Sequence, residues 1–120
     1  MTNDLSLPHE KLLAYQEACK VLDAVREAEI SDAHLRDQAL RAATRCCLNI
    51  AEGAGRTGSA DKARVYGIAR GENLEAAATL GLALRASLCR PEPAQRGMVH
   101  ARAAYAMLCG LIRRFTRPAG

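Results

Sequence analysis

The stretch QALRAATRCCLNIAEGAGR, residues 38–56, decides how this chain folds. Leu35, Ala39, Ala42, Ala43, Cys46 and Ile50 recur at three- and four-residue spacing, the mark of one buried face of a helix. A second stripe, Gln38, Arg41, Arg45, Asn49 and Glu52, follows i, i+3, i+7, i+11, i+14 on a face beside the first. The helix is expected from about Ala33 to Glu52, capped by Ser31 or Asp32, with Gly53 in the left-handed conformation that ends a helix. Arg56 then lies just past the turn, where it can fold back towards Glu52.

Three more helices follow from the punctuation on either side. Before the break EISDAH, the stripe Leu12, Tyr15, Cys19, Leu22, Val25 sets one face of a helix capped by Ser6, with Pro8 in its first turn, ending near Ala28. After the loop GAGRTGS, Ser59 caps a third helix from about Ala60 to Cys89. Gly67, Gly71 and Gly81 interrupt it, each costing roughly 1 kcal/mol relative to alanine, and close approach of a neighbour accounts for them best. Residues 76–84, AAATLGLAL, carry no charge on any side, so both faces are expected to be buried. Past Pro91 and Pro93, a fourth helix from about Ala94 to Phe115 presents Met98, Ala101, Tyr105, Leu108, Ile112 and Phe115 on one face. Four helices with short connections read as an all-α, antiparallel up-down-up-down bundle forming a single domain over residues 1–120. One bundle has one core, so a helix apolar all round implies a second subunit and a homo-oligomer.

Composition agrees. The 120 residues suit one domain; Ala and Leu dominate, and β-branched and aromatic residues are scarce. The net charge is +4, and 14 of the 17 basic residues are Arg, a side chain suited to bidentate contact with phosphate or carboxylate, though a GC-rich genome also enriches Arg and Ala. No run approaches the roughly 18 apolar residues of a membrane span, and MTNDLSLPHEK lacks the basic and apolar segments of a signal peptide, so a cytoplasmic protein is expected. Its cysteines, Cys19, Cys46, Cys47, Cys89 and Cys109, are then reduced; without CxxC spacing they suggest neither a disulfide framework nor a zinc site.

The polar stripe has two readings. It is a solvated face, or a satisfied network at a subunit contact, in which Arg pairs with carboxylate and Asn fills the remaining bonds. On these residues the chain resembles the bacterial four-helix bundle family encoded in intervening sequences of 23S ribosomal RNA, whose signature reads Q-L-x-R-A-x-x-S-I-x-x-N-I-A-E-G-x-G-R. Gln38, Arg41, Ala42, Asn49, Ile50, Ala51, Glu52, Gly53, Gly55 and Arg56 match. KLLAYQEA, residues 11–18, resembles the family's first helix, and YGIARGENLE, residues 66–75, its third, with Ala69, Gly71 and Glu75 in place. The chain departs from the pattern at Thr44 to Cys47, at Glu72 in place of serine, and at Asn73, where an apolar residue is common. The resemblance implies a homopentamer of four-helix bundles. It also implies kinship with the accessory variability proteins of diversity-generating retroelements, basic pentamers that bind a reverse transcriptase and nucleic acid.

Three functions compete. The first is a non-enzymatic oligomeric scaffold that binds RNA or DNA, or a reverse transcriptase. A charge of +4 per subunit becomes about +20 in a pentamer, and symmetric arginines can track a phosphate backbone. The candidate contacts are Arg113, Arg114 and Arg117, then Arg64 and Arg70; with the three tyrosines placed on core stripes or at helix contacts, no aromatic platform remains for stacking bases. The second is a protein-interaction module whose basic residues are consumed in intersubunit pairs with Glu52, Glu72 and Glu75. The third is an enzyme using Glu52 with His34 or His100; nothing in the sequence places these together, and there is no phosphate loop or nucleophile elbow. Bundle di-iron sites need Glu-x-x-His pairs, which are absent, and copper on Cys19, Cys46, Cys109 and Met107 is a remote alternative. No cofactor, metal or catalytic residue is expected.

Overall fold

A computed structural model of the chain describes residues 5–117. Its described part comprises α1 (Leu13–Glu27), α2 (Ala33–Gly55), α3 (Ser59–Arg85) and α4 (Pro91–Thr116). Each helix packs on the next, α4 closes the ring against α1, and the α1–α3 diagonal barely touches. The α1–α2 and α3–α4 connections meet at one end, where the Ser31 N–H donates to Leu88 O at 2.8 Å and the Arg90 N–H to Ala28 O at 2.7 Å. The α2–α3 connection lies at the other end beside the last turn of α4, where the Tyr66 and Phe115 rings stand 6.1 Å apart. This is the up-down-up-down bundle that four amphipathic segments and short loops require.

The helix ends depart from the sequence reading in instructive ways. α1 starts at Leu13 rather than beside Ser6, because the Leu7 N–H and the Glu10 carboxylate close a separate turn first, at 3.0 Å. Asp32 caps α2, its carboxylate accepting from the Leu35 N–H at 2.9 Å; Ser31 donates instead to Leu88 O at 3.1 Å. α3 has Gly58 as its cap, with no side-chain bond, and ends at Arg85 instead of reaching Cys89. There Ser87 takes φ 56°, its N–H donating to Leu84 O and that of Leu88 to Ala83 O, a Schellman ending that satisfies the last carbonyls. α4 begins at Pro91, not Ala94: proline in a first turn forfeits no helical hydrogen bond, so Pro91 and Pro93 start the helix rather than precede it.

The core consists largely of alanine, which lets the helices lie close together. Val21, Val25, Ile30 and Leu80 fill the end with two connections; Cys46, Ile50, Tyr66 and Leu108 fill the other. Each fully buried Leu or Ile contributes about 1.5–3 kcal/mol. On α1 the most buried residues are Ala14, Ala18, Val21, Ala24 and Val25, one step round from the expected stripe; Leu12, Tyr15, Cys19 and Leu22 border the core instead. Only one face of residues 76–84 is covered: Ala76, Thr79, Leu80 and Ala83 are buried, whereas Ala78 and Leu82 are exposed. Tyr105, expected in the core, is 40% exposed, because α4 turns Ala101, Ala104 and Leu108 inward.

Candidate functional site

The signature stretch builds the junction between α2 and α3. Gly53 does not end its helix. α2 continues to Gly55, and Gly53 is buried there because the Tyr66 ring lies on it: a Cβ at Gly53 would meet Tyr66 Cδ1 and Cε1 at 2.9 Å. The glycine thus serves close packing and not a left-handed turn. Lys62 reaches back to the end of α2 and donates from Nζ to Ala54 O at 2.8 Å and to Gly53 O at 3.1 Å, which also accepts from the Arg56 N–H. Arg56 pairs with Glu52 one turn earlier and, through Nη1, with Asp61 Oδ2 at 3.3 Å. Asp61 also accepts from Arg64 at 2.8 Å, and Arg64 with Arg56 holds its carboxyl below the usual carboxylate range. The junction is therefore a chain of alternating charges, Glu52–Arg56–Asp61–Arg64, across the loop.

The remainder of the expected network is not assembled within one chain. Asn49 donates from Nδ2 to Arg45 O of its own helix at 2.9 Å rather than bridging to Glu52, since an Asn side chain one turn along a helix reaches the i−4 carbonyl most easily. Arg41 and Arg45 are exposed, and Gln38 is half-buried; among the described residues neither arginine forms an ion pair. Across from them on α3, partial burial and the neighbouring Glu75 push the Glu72 carboxyl up, against the opposing pull of Arg45 and Arg41. Glu75 itself is exposed.

The basic candidates separate. Arg64 is neutralised by Asp61. Arg70 is half-buried and donates from Nη1 to Cys109 Sγ at 3.5 Å; that contact, with Tyr105 and Arg113 nearby, lowers the thiol's pKa. Arg113, Arg114 and Arg117 surround Gly110 in a surface cavity of about 340 Å³ on the last turns of α4. Among the described residues none of these three is ion-paired, and the Arg114 guanidinium lies 5.4 Å from the Phe115 ring centroid.

The groups considered for catalysis stand apart. His34 and Glu52 sit at opposite ends of α2, about 27 Å apart along the helix axis at 1.5 Å per residue. His100 is taken by Glu17 of α1, 2.5 Å from Nδ1 to Oε2. Cys46 and Cys47 are buried, and burial drives both thiols up, Cys46 to about 12. Among the described residues no three His, Cys, Asp or Glu side chains are grouped as a metal requires.

Two features escaped the sequence reading. Tyr105 is an exposed ring on α4, hidden by its fit to a core stripe. Asn73 is 1% exposed; its Nδ2 donates to Ala101 O at 2.9 Å and its Oδ1 has no partner. Its departure from an apolar pattern was the only signal.

The fold and the α2–α3 junction define a class: an antiparallel four-helix bundle whose second helix ends on a glycine-packed, charge-linked turn. Residues 10–110 match the family model described as 23S rRNA-intervening sequence protein, and the chain belongs to that family. No curated protein matches it. Among the described residues no helix is long and apolar enough to cross a membrane.

Proposed function

We propose that this protein is a non-enzymatic, self-associating helical scaffold of the cytoplasm that binds RNA through the C-terminal turns of α4. The observation that carries the reading is the cavity around Gly110: Arg113, Arg114 and Arg117 converge there without a carboxylate partner among the described residues. Two guanidinium groups on the last turn of α4 and a third just past its end fit successive phosphate oxygens and carry no base specificity. Family membership and the net charge of +4 support this, and the resemblance implies a pentamer, with a reverse transcriptase as the protein partner if the chain serves a retroelement. Oligomeric symmetry would repeat the cluster and multiply weak contacts.

The test is a titration of a fluorescent single-stranded RNA between 50 and 300 mM salt. Three phosphate contacts per subunit at about 0.7–0.9 counterions each predict a loss of about 40- to 130-fold in affinity over that range. Salt-independent binding, or none at 50 mM, refutes it. A second reading is a protein-interaction module without nucleic acid. It draws support from Arg56, Arg64 and Arg96, all consumed in ion pairs with carboxylates. Purified protein free of nucleic acid by its 260/280 absorbance ratio, and inert to RNA, selects that reading.

A further inference from the structure

The flank between α3 and α4 buries a polar group that the fold leaves half satisfied. Asn73 is 1% exposed, although its neighbours one turn away on α3, Ala69, Ala76 and Ala77, are all apolar. Its Nδ2 donates to Ala101 O of α4 at 2.9 Å. A carbonyl oxygen only accepts, so the amide nitrogen must face Ala101 and the amide oxygen is fixed on the other side. That oxygen, Oδ1, meets no donor among the described residues. A buried acceptor without a donor is destabilising, and nothing inside the chain offsets it.

Asn73 also lines a cavity of about 200 Å³. Asn73 and Ala101 are its buried floor, Ala77 and Met98 its half-buried walls, and the exposed Leu74, Arg102 and Tyr105 stand at its mouth. Water answers Oδ1 poorly here. A buried water needs about two to four polar partners, and besides Oδ1 the floor offers only a carbonyl that is already bonded. An apolar cavity of about 150 Å³ holds one benzene ring, so a cavity about one-third larger takes a fused pair of small rings. The side chains around it favour an aromatic guest: a thioether on Met98, a ring on Tyr105 and a guanidinium on Arg102 each pack well against a π-system.

We propose that this cavity binds a small aromatic molecule of about indole size that carries one N–H or O–H donor. The donor bonds to Asn73 Oδ1, and the rings lie against Ala77 and Met98. The site shares no lining residue with the arginine cluster around Gly110, so it goes beyond RNA binding and neither reading rests on the other.

Indole and benzofuran test it on the full chain. The two probes have nearly the same shape, but only indole has an N–H. The chain contains no tryptophan, so indole emission reports the probe alone, and benzofuran is measured by its competition with indole. Wild type is expected to shift indole emission to the blue, to bind one indole per chain, and to hold benzofuran about tenfold more weakly through the missing hydrogen bond. Asn73→Leu is expected to weaken indole about tenfold and to bind the two probes alike. Ala77→Leu, which fills the cavity from its wall, is expected to abolish binding of both, with circular dichroism reporting that each variant keeps its helices. No shift in indole emission with up to about 1 mM wild-type protein overturns the proposal. So does equal affinity of wild type for indole and benzofuran, because the donor is its centre. Unchanged indole binding by Ala77→Leu overturns the location. If Asn73→Leu does not fold, the comparison of the two probes on wild type and the Ala77→Leu result still decide.

Discussion

Replacing Gly53 by alanine probes the junction that the signature stretch builds. Were Gly53 a helix terminator in the left-handed region, alanine would be strained by its backbone. Gly53 is instead helical, and the added methyl would meet the Tyr66 ring at 2.9 Å, well inside contact distance. Tyr66 is 2% exposed and has Phe115 beyond it, so its ring has little room to retreat. Overpacking of this kind costs about 1–3 kcal/mol, while exchanging glycine for alanine inside a helix returns up to about 1 kcal/mol. Gly55 supplies the internal control. It belongs to the same last turn, and a Cβ there meets nothing within 4 Å. Gly53→Ala is therefore expected to be about 1–3 kcal/mol less stable than Gly55→Ala. At about 4 °C per kcal/mol for a chain of this size, that is a gap of about 4–12 °C in Tm, read by circular dichroism at one protein concentration. Tyr66→Leu in the Gly53→Ala background is expected to recover part of the loss, because the two sites are in contact. Equal melting of the two glycine variants would refute the packing role of Gly53.

Three further predictions concern single side chains. Arg70 lowers the Cys109 pKa, so Cys109 is expected to react with iodoacetamide at pH 7.5 ahead of Cys46 and Cys47, whose thiols are raised, and Arg70→Gln is expected to slow it; peptide mapping after timed alkylation checks both. The Glu72 carboxyl is raised in the fold, so its contribution favours the folded state at low pH and is lost as pH rises through the folded pKa. Glu72→Gln is accordingly expected to stabilise the chain at pH 7 by about 0.5 kcal/mol or less, with the advantage vanishing below the ordinary carboxylate range, as urea titrations at pH 7 and pH 3.5 would record. Asn49→Ala removes only a bond to its own helix, so the folded chain is expected to tolerate it within about 0.5 kcal/mol in urea titrations; a larger loss would mean that Asn49 has further partners.

Periodicity made the four helices and their order legible, because the apolar stripes and breaks act locally. Helix ends were less so. Ser87 in the left-handed region and Pro91 at the start of α4 depend on how carbonyls are satisfied around a turn, which composition does not encode. The sign of each glycine was hidden for a related reason. Gly53 and Gly71 look alike in sequence, and only the tertiary position of Tyr66 separates a packed glycine from an uncovered one. The Arg56–Glu52 pair was readable from i, i+4 spacing, whereas its extension to Asp61 needed the geometry of the loop. Asn49 misled because a polar stripe on a helix does not reveal whether an amide turns outward to a partner or back to its own backbone. Asn73 was visible only as a departure from an apolar pattern; its orphaned oxygen is a property of the packed bundle.

The central claim is that the arginines around Gly110 meet phosphate. The measurement that bears on it most directly compares the salt dependence of RNA affinity in wild type and in the Arg113→Gln, Arg114→Gln, Arg117→Gln triple variant, both confirmed helical. The account predicts weaker binding by the variant at every salt concentration, and a log–log slope shallower by about 2–3 per subunit engaged. An identical slope in the two proteins would contradict it.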